Sequence, residues 1–152
     1  KGISVISCVA SIEKIEDFPE NTFGFIYMTT HMPSGISYIG KKSLYHNIKK
    51  KLTKKELLEQ TGPGRKATTR VVQKESDWKT YYGSHSEIKQ LIKEGKKEEF
   101  ERTIIEFAFS PKRLTYLETK YLFSLGVLEN GDVYFNDNIL GKFFRKDIPR
   151  YE

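Results

Sequence analysis

The fold turns on two short stretches, TFGFIYMTT (Thr22–Thr30) and ISYIG (Ile36–Gly40), with Pro33-Ser34-Gly35 between them. The first is rich in aromatic and β-branched residues and reads as a strand. Pro-Ser-Gly is a turn signal, and Ile36–Gly40 reads as the returning strand, so the pair predicts a β-hairpin. Working outward, Lys54–Gln60 reads as a short helix. Ser84–Glu94 reads as a longer one, with Ser84 as N-cap, Glu87 as its capping-box partner and Gly95 as the stop. Arg102–Phe109 is a third strand. Ser110-Pro111 opens a last helix that runs to about Leu125, with Gly126 at its end. The order of hairpin, insertion, helix, strand and helix predicts a small α+β domain with a three-stranded antiparallel sheet flanked by helices.

At 152 residues the chain has the size of one globular domain, and 38% hydrophobic residues suffice for a core. Mean hydropathy is −0.56 and no stretch is long and apolar enough for a membrane helix, so an integral membrane protein is excluded. Lys1 to Cys8 is too short and polar for a signal peptide, while a start at Lys1 rather than Met suggests a missing short leader. The single cysteine, Cys8, excludes an intramolecular disulfide framework and makes a reducing, cytoplasmic setting the expectation.

Charge is unevenly distributed. Residues 41–74 carry eleven of the 26 basic residues (Lys41, Lys42, Lys49, Lys50, Lys51, Lys54, Lys55, Arg65, Lys66, Arg70, Lys74) but only two of the 20 acidic ones, Glu56 and Glu59. The surplus of nine there outweighs a deficit of three elsewhere. Such a block is either a solvated loop or the footprint of a polyanion, most simply nucleic acid. In the last helix, Glu118 falls within the apolar stripe of Leu114, Leu117, Tyr121, Leu122 and Leu125. A carboxylate there is costly unless paired or bound to a cation. It is either an edge residue in a salt bridge or a candidate metal ligand or catalytic group.

With Gly24-Phe25-Ile26-Tyr27 on one strand and Tyr38-Ile39-Gly40 on the next, the hairpin resembles the paired signature of the GIY-YIG nuclease family, with Phe25 inserted in the first element. Glu118 occupies the place of that family's metal-binding glutamate. Asn136 stands where its terminal asparagine should be, with Asn138 as a substitute. The resemblance covers roughly residues 23–138. Tyr38-Ile-Gly-Lys-Lys-Ser43, Ser76-Asp-Trp78 and Tyr82-Gly-Ser84 are similar to a phage-encoded, Seg-like homing subset. The implied domain is single, with a core of about 22–138 and a basic insertion at 41–74, and host-cell cytoplasm would be its location if it is phage-encoded.

The resemblance implies a metal-dependent DNA endonuclease. Glu118 would bind one Mg²⁺ or Mn²⁺, Tyr27 would serve as base or water-orienting group, and Tyr38 would hydrogen-bond water or phosphate. Asn136 would orient the site, and Gly24 and Gly40 would be motif glycines. The family's helix arginine is missing: about eight residues past Gly40 stands Ile48. Substitutes are Lys42, Lys49, Arg65 and Arg70, with Arg70 preferred. His46 is a further candidate base or donor, whereas His31 and His85 read as surface residues. Trp78 with Tyr81 and Tyr82 reads as a core cluster ahead of a base-stacking platform. The basic segment would grip the DNA backbone, and a homo-oligomer stays open because one site cuts one strand per visit. The rivals are a non-catalytic nucleic-acid-binding module on the same fold and a basic RNA-associated protein.

Overall fold

The computed structural model describes residues 12–149, so Lys1 and Cys8 lie outside the described residues. It divides the chain into two compact units: one from the described residues up to Leu44 and from Asp77 onward, the other from Tyr45 to Ser76.

The first unit is built on the predicted hairpin. Strands β1 (Gly24–His31) and β2 (Ile36–Ser43) pair antiparallel, with Tyr27 opposite Gly40 and Thr29 opposite Tyr38. In the same unit, β5 (Phe100–Ala108) pairs antiparallel with the other side of β1, giving the order β2-β1-β5. Phe25, Ile26, Tyr27 and Thr29 are all buried, as a central strand covered on both faces requires. Helix α3 (Pro111–Ser124) covers one face. Ser110 caps it by accepting from the Arg113 amide at 3.1 Å, and Leu114, Leu117 and Leu122 join Ile26, Ile39, Ile105 and Ala108 in the main core. Gly126, at φ 60°, ends it in the left-handed region that glycine tolerates.

The opposite face is closed by the chain returning at Asp77. Trp78 is buried edge-on against Phe18 at 5.0 Å between ring centroids and also packs on Phe25, which makes it a core residue. Helix α2 (Ser86–Lys93) has its cap one residue later than expected. Its cap is His85, whose Nδ1 accepts from the Glu87 amide at 3.3 Å, because the Ser84 hydroxyl is engaged by Tyr38 instead. Past α3, the short strands β6 (Asn138–Ile139) and β7 (Phe143–Phe144) form a small hairpin.

The second unit holds two strands that the residue pattern of the insertion does not announce, β3 (Tyr45–Lys51) and β4 (Thr69–Glu75), paired antiparallel from Tyr45 opposite Glu75 to Lys51 opposite Thr69. Between them lies α1 (Lys54–Leu58), which Thr53 and Glu56 cap reciprocally. Gln60 brackets Ala67 through two 2.8 Å hydrogen bonds, closing the Gly-Pro-Gly loop.

Candidate active site

β2 is an edge strand, and its free edge needs a partner. The segment Val133–Asn136 supplies one. The Ser37 amide donates to Val133 O at 2.9 Å, and the Phe135 amide donates to Ser37 O at 2.8 Å. The buried Asn136 side chain then takes over from the backbone: its Oδ1 accepts from the Ile39 amide at 3.0 Å and its Nδ2 donates to Ile39 O at 2.9 Å. Arg145 fixes this segment from behind by donating to the carbonyls of Val127, Leu128, Tyr134 and Asn136. Asn136 is therefore a clamp on the strand carrying Tyr38 and Gly40.

A pocket of about 360 Å³ opens along this edge, lined among others by Tyr38, Ser84, His85, Glu118, Asn136 and Asp137. Strand alternation puts Tyr38 and Gly40 on one face of β2 and Ile39 and Lys41 on the other, the α3 side. The pocket joins the two faces around the strand edge. Gly40 lets the two tyrosine rings pack against the strand, since a Cβ there would stand 2.6 Å from Tyr27 Cζ and 2.9 Å from Tyr38 Cε1. The Tyr27 phenol lies across the space that a side chain at position 40 would fill.

The electrostatics follow from burial. Glu118 is half-buried on α3, with Lys41 Nζ 3.8 Å from its carboxylate and also donating to Thr115 at 2.9 Å. Desolvation pushes the Glu118 carboxyl above the usual carboxylate range, and Lys41 offsets this only in part. Burial also raises Tyr38, whose hydroxyl shares a 2.8 Å hydrogen bond with Ser84. Tyr27 is almost wholly buried, and desolvation drives it far upward, with Tyr38, Tyr81 and Glu118 adding to the effect. It remains a neutral phenol, suited to donating a hydrogen bond.

The structure brings Tyr27, Tyr38, Gly40, Glu118 and Asn136 together in the first unit. Gly24 belongs there too, packed so closely that a Cβ would meet Lys42 O at 2.5 Å. Lys42 is half-buried, 2.6 Å from Asp77 Oδ1, with its ammonium 3.9 Å from the Tyr81 ring centroid. Arg70 and His46 belong to the second unit, where Arg70 pairs with Glu56 at 3.3 Å and His46 stands opposite Lys74. Lys49, Lys50, Lys51, Lys54, Lys55, Arg65 and Lys66 are exposed in that same unit.

Two histidines differ from their expected surface positions. His31 is half-buried between Glu99 and Ser34, 2.7 Å from each. His85 is half-buried at the pocket, 3.7 Å from Asp137. Arg102 was also missed as a site-supporting residue. It shares a sheet face with Tyr27 and Thr29, and its guanidinium donates to the carbonyls of Trp78 and Tyr81, tying the returning chain onto β5. The available signal was a cation at a strand position that shares its face with Phe100 and Ile104.

Among the described residues, no group of three or more His, Cys, Asp or Glu side chains is placed to hold a metal ion. Apart from the His85 ring, the pocket's side-chain donors are mainly oxygens: the Glu118 and Asp137 carboxylates, the Tyr38, Ser84 and Ser86 hydroxyls and the Asn136 and Asn138 amides. That set fits a hard divalent cation held by one or two carboxylates and completed by substrate oxygens and water.

Among the described residues, no helix is long and apolar enough to cross a membrane. A family model described as "Putative endonuclease segE, GIY-YIG domain" matches residues 9–139. The match spans most of the chain, which therefore has a GIY-YIG domain and belongs to this SegE-type GIY-YIG family. Membership implies endonuclease activity in general, and nucleases of this family generally depend on divalent metal. Comparison with curated proteins and with solved structures finds no significant match.

Proposed function

We propose that this protein is a metal-dependent DNA endonuclease of the homing type, hydrolysing phosphodiester bonds at the β2-edge pocket. The observation that carries this reading is Glu118 facing the same pocket as Tyr38, at the edge of β2 that Asn136 holds. The homing and phage assignments rest on the Seg-like motifs and the SegE character of the matching family.

Glu118 would hold Mg²⁺ or Mn²⁺, which supplies Lewis-acid polarisation of the phosphate. The chain's own groups do the rest. Tyr38 orients the attacking water and donates to phosphate oxygens, and Tyr27, buried and neutral, packs beside its ring and positions it. The water's proton is left to a phosphate oxygen or to solvent. Lys41 places a cation next to Glu118, in the region where negative charge develops. His85 uses Nδ1 as a cap acceptor, so its neutral form carries the proton on Nε2, facing Asp137; it positions α2 and does not serve as base. Asn136 holds β2 in register. Arg70 remains the proposed substitute for the family's arginine.

A second reading is a nucleic-acid-binding module without catalysis, favoured by a pocket lining that contains no arginine. Plasmid incubation with Mg²⁺, with EDTA, and with Glu118→Ala separates the two. The nuclease reading expects cutting by the parent with Mg²⁺ alone. Tight, salt-sensitive binding with no cutting of any substrate carrying the protein's bound site would favour the module.

A further inference from the structure

The second unit's nine basic and three acidic residues account for the chain's entire net charge of +6. Its β3–β4 ribbon distributes chemistry unequally between two faces. On one face Ile48 and Val72 are half-buried, and Arg70 is engaged by Glu56 of α1. On the other, Asn47 stands opposite Gln73, Lys49 opposite Val71, and Lys51 opposite Thr69, all six exposed. Neither the Asn47 nor the Gln73 amide has a hydrogen-bond partner among the described residues. Beyond Tyr45 and Glu75 at its base, the open face thus presents two adjacent amides, two ammonium groups and two methyl-bearing side chains.

These are the groups that read base edges in a major groove. Amides pair bidentately with adenine N6 and N7, lysine donates to guanine O6 and N7, and methyls touch the thymine methyl. The dimensions also match. A two-stranded ribbon, with strands about 4.8 Å apart, enters a groove about 12 Å wide. Successive side chains on one face of a strand are about 6.8 Å apart, close to two base-pair rises.

We propose that the β3–β4 ribbon is the sequence reader of this protein. It lies in the major groove of duplex DNA with the Asn47–Gln73 face on the base edges, while Lys54, Lys55, Arg65 and Lys66 bind flanking phosphates. The inference rests on the DNA-endonuclease reading for its substrate class, but not on cleavage. The A-form major groove is too deep and narrow for side chains to read, so duplex RNA is not the partner.

The test uses the full chain carrying Glu118→Ala, so that bound DNA stays intact, to select from a library of randomised DNA duplexes. The expected result is a preferred sequence bound more tightly than random DNA. Asn47→Ala/Gln73→Ala in the same background should lose preference at adenine positions by about 10-fold or more while keeping random-DNA affinity, salt slope and thermal midpoint. Lys54→Ala/Lys55→Ala should instead weaken all sequences alike. No preferred sequence, an unchanged preference in the amide double variant, or equal binding to the matching RNA duplex would each overturn the proposal. Failure of the parent protein to cut its selected site with Mg²⁺ would count against the nuclease reading alone.

Discussion

Replacing Asn136 by alanine removes two hydrogen bonds at once, of 3.0 Å and 2.9 Å, from the amide and carbonyl of the fully buried Ile39. An orphaned buried polar group costs about 1–3 kcal/mol, so the pair predicts a loss of about 3 kcal/mol. For a chain of this length that lowers the thermal midpoint by ~6–12 °C. Asn136→Asp adds a diagnostic. Ionised, the carboxylate still accepts from the Ile39 amide but opposes the Ile39 carbonyl; protonated, it can donate to that carbonyl as asparagine does. Its folded pKa is therefore raised, so the contribution of the protonated form is present below the unfolded carboxyl pKa and lost as pH rises through the folded value. The assay is thermal denaturation followed by circular dichroism at pH 7 and pH 4. The gap between Asn136→Asp and the parent should narrow at pH 4, while that of Asn136→Ala should not. A midpoint for Asn136→Ala within 1 °C of the parent would refute the clamp.

Glu118→Gln should abolish cleavage and at the same time stabilise the fold at neutral pH. Burial raises the Glu118 carboxyl, so the ionised form costs stability as pH rises above the unfolded carboxyl pKa. Midpoints measured at pH 7 should favour the variant, and the advantage should vanish under acid conditions. Gly40→Ala drives a methyl group into the Tyr27 and Tyr38 rings, for an expected cost of about 1–3 kcal/mol by urea denaturation and a loss of cutting. Arg102→Leu frees the Trp78 and Tyr81 carbonyls, with an expected loss of about 2–3 kcal/mol on the same assay. Neutralising Lys54, Lys55 and Lys66 should flatten the salt dependence of DNA binding, by up to ~0.9 in slope for every phosphate that a lysine no longer neutralises, without changing metal dependence.

The elements legible in the sequence were those whose side chains obey one local rule. The hairpin announced itself through alternation and a Pro-Ser-Gly turn, α3 through Ser110-Pro111 and a leucine stripe, and Glu118 through its place in that stripe. The β3–β4 ribbon was not legible, because the run Ile48 to Lys51 has no apolar alternation and its pairing spans the intervening α1 and loop. The α2 start was misplaced because Ser84 satisfies the capping rule locally but is drawn away by Tyr38, its partner 46 residues earlier. Asn136 was found in sequence, yet its attachment to Ile39 depends on the free edge of β2, which exists only once the strand order is known. Arg102 was hidden for the same reason: its partners are carbonyls of a returning segment, which leave no imprint on residue types.

The pairing of Lys42 with Asp77 at 2.6 Å has an evolutionary side. These residues flank the ribbon unit in sequence, and the ion pair keeps its two points of attachment together on the nuclease core. Because loop closure costs little more for a long excursion than for a short one, different ribbons can be spliced between such fixed ends without rebuilding the pocket. Target choice and bond cleavage can then diversify on separate clocks, with new recognition sequences acquired by exchanging one contiguous cassette while Glu118 and its surroundings stay under selection.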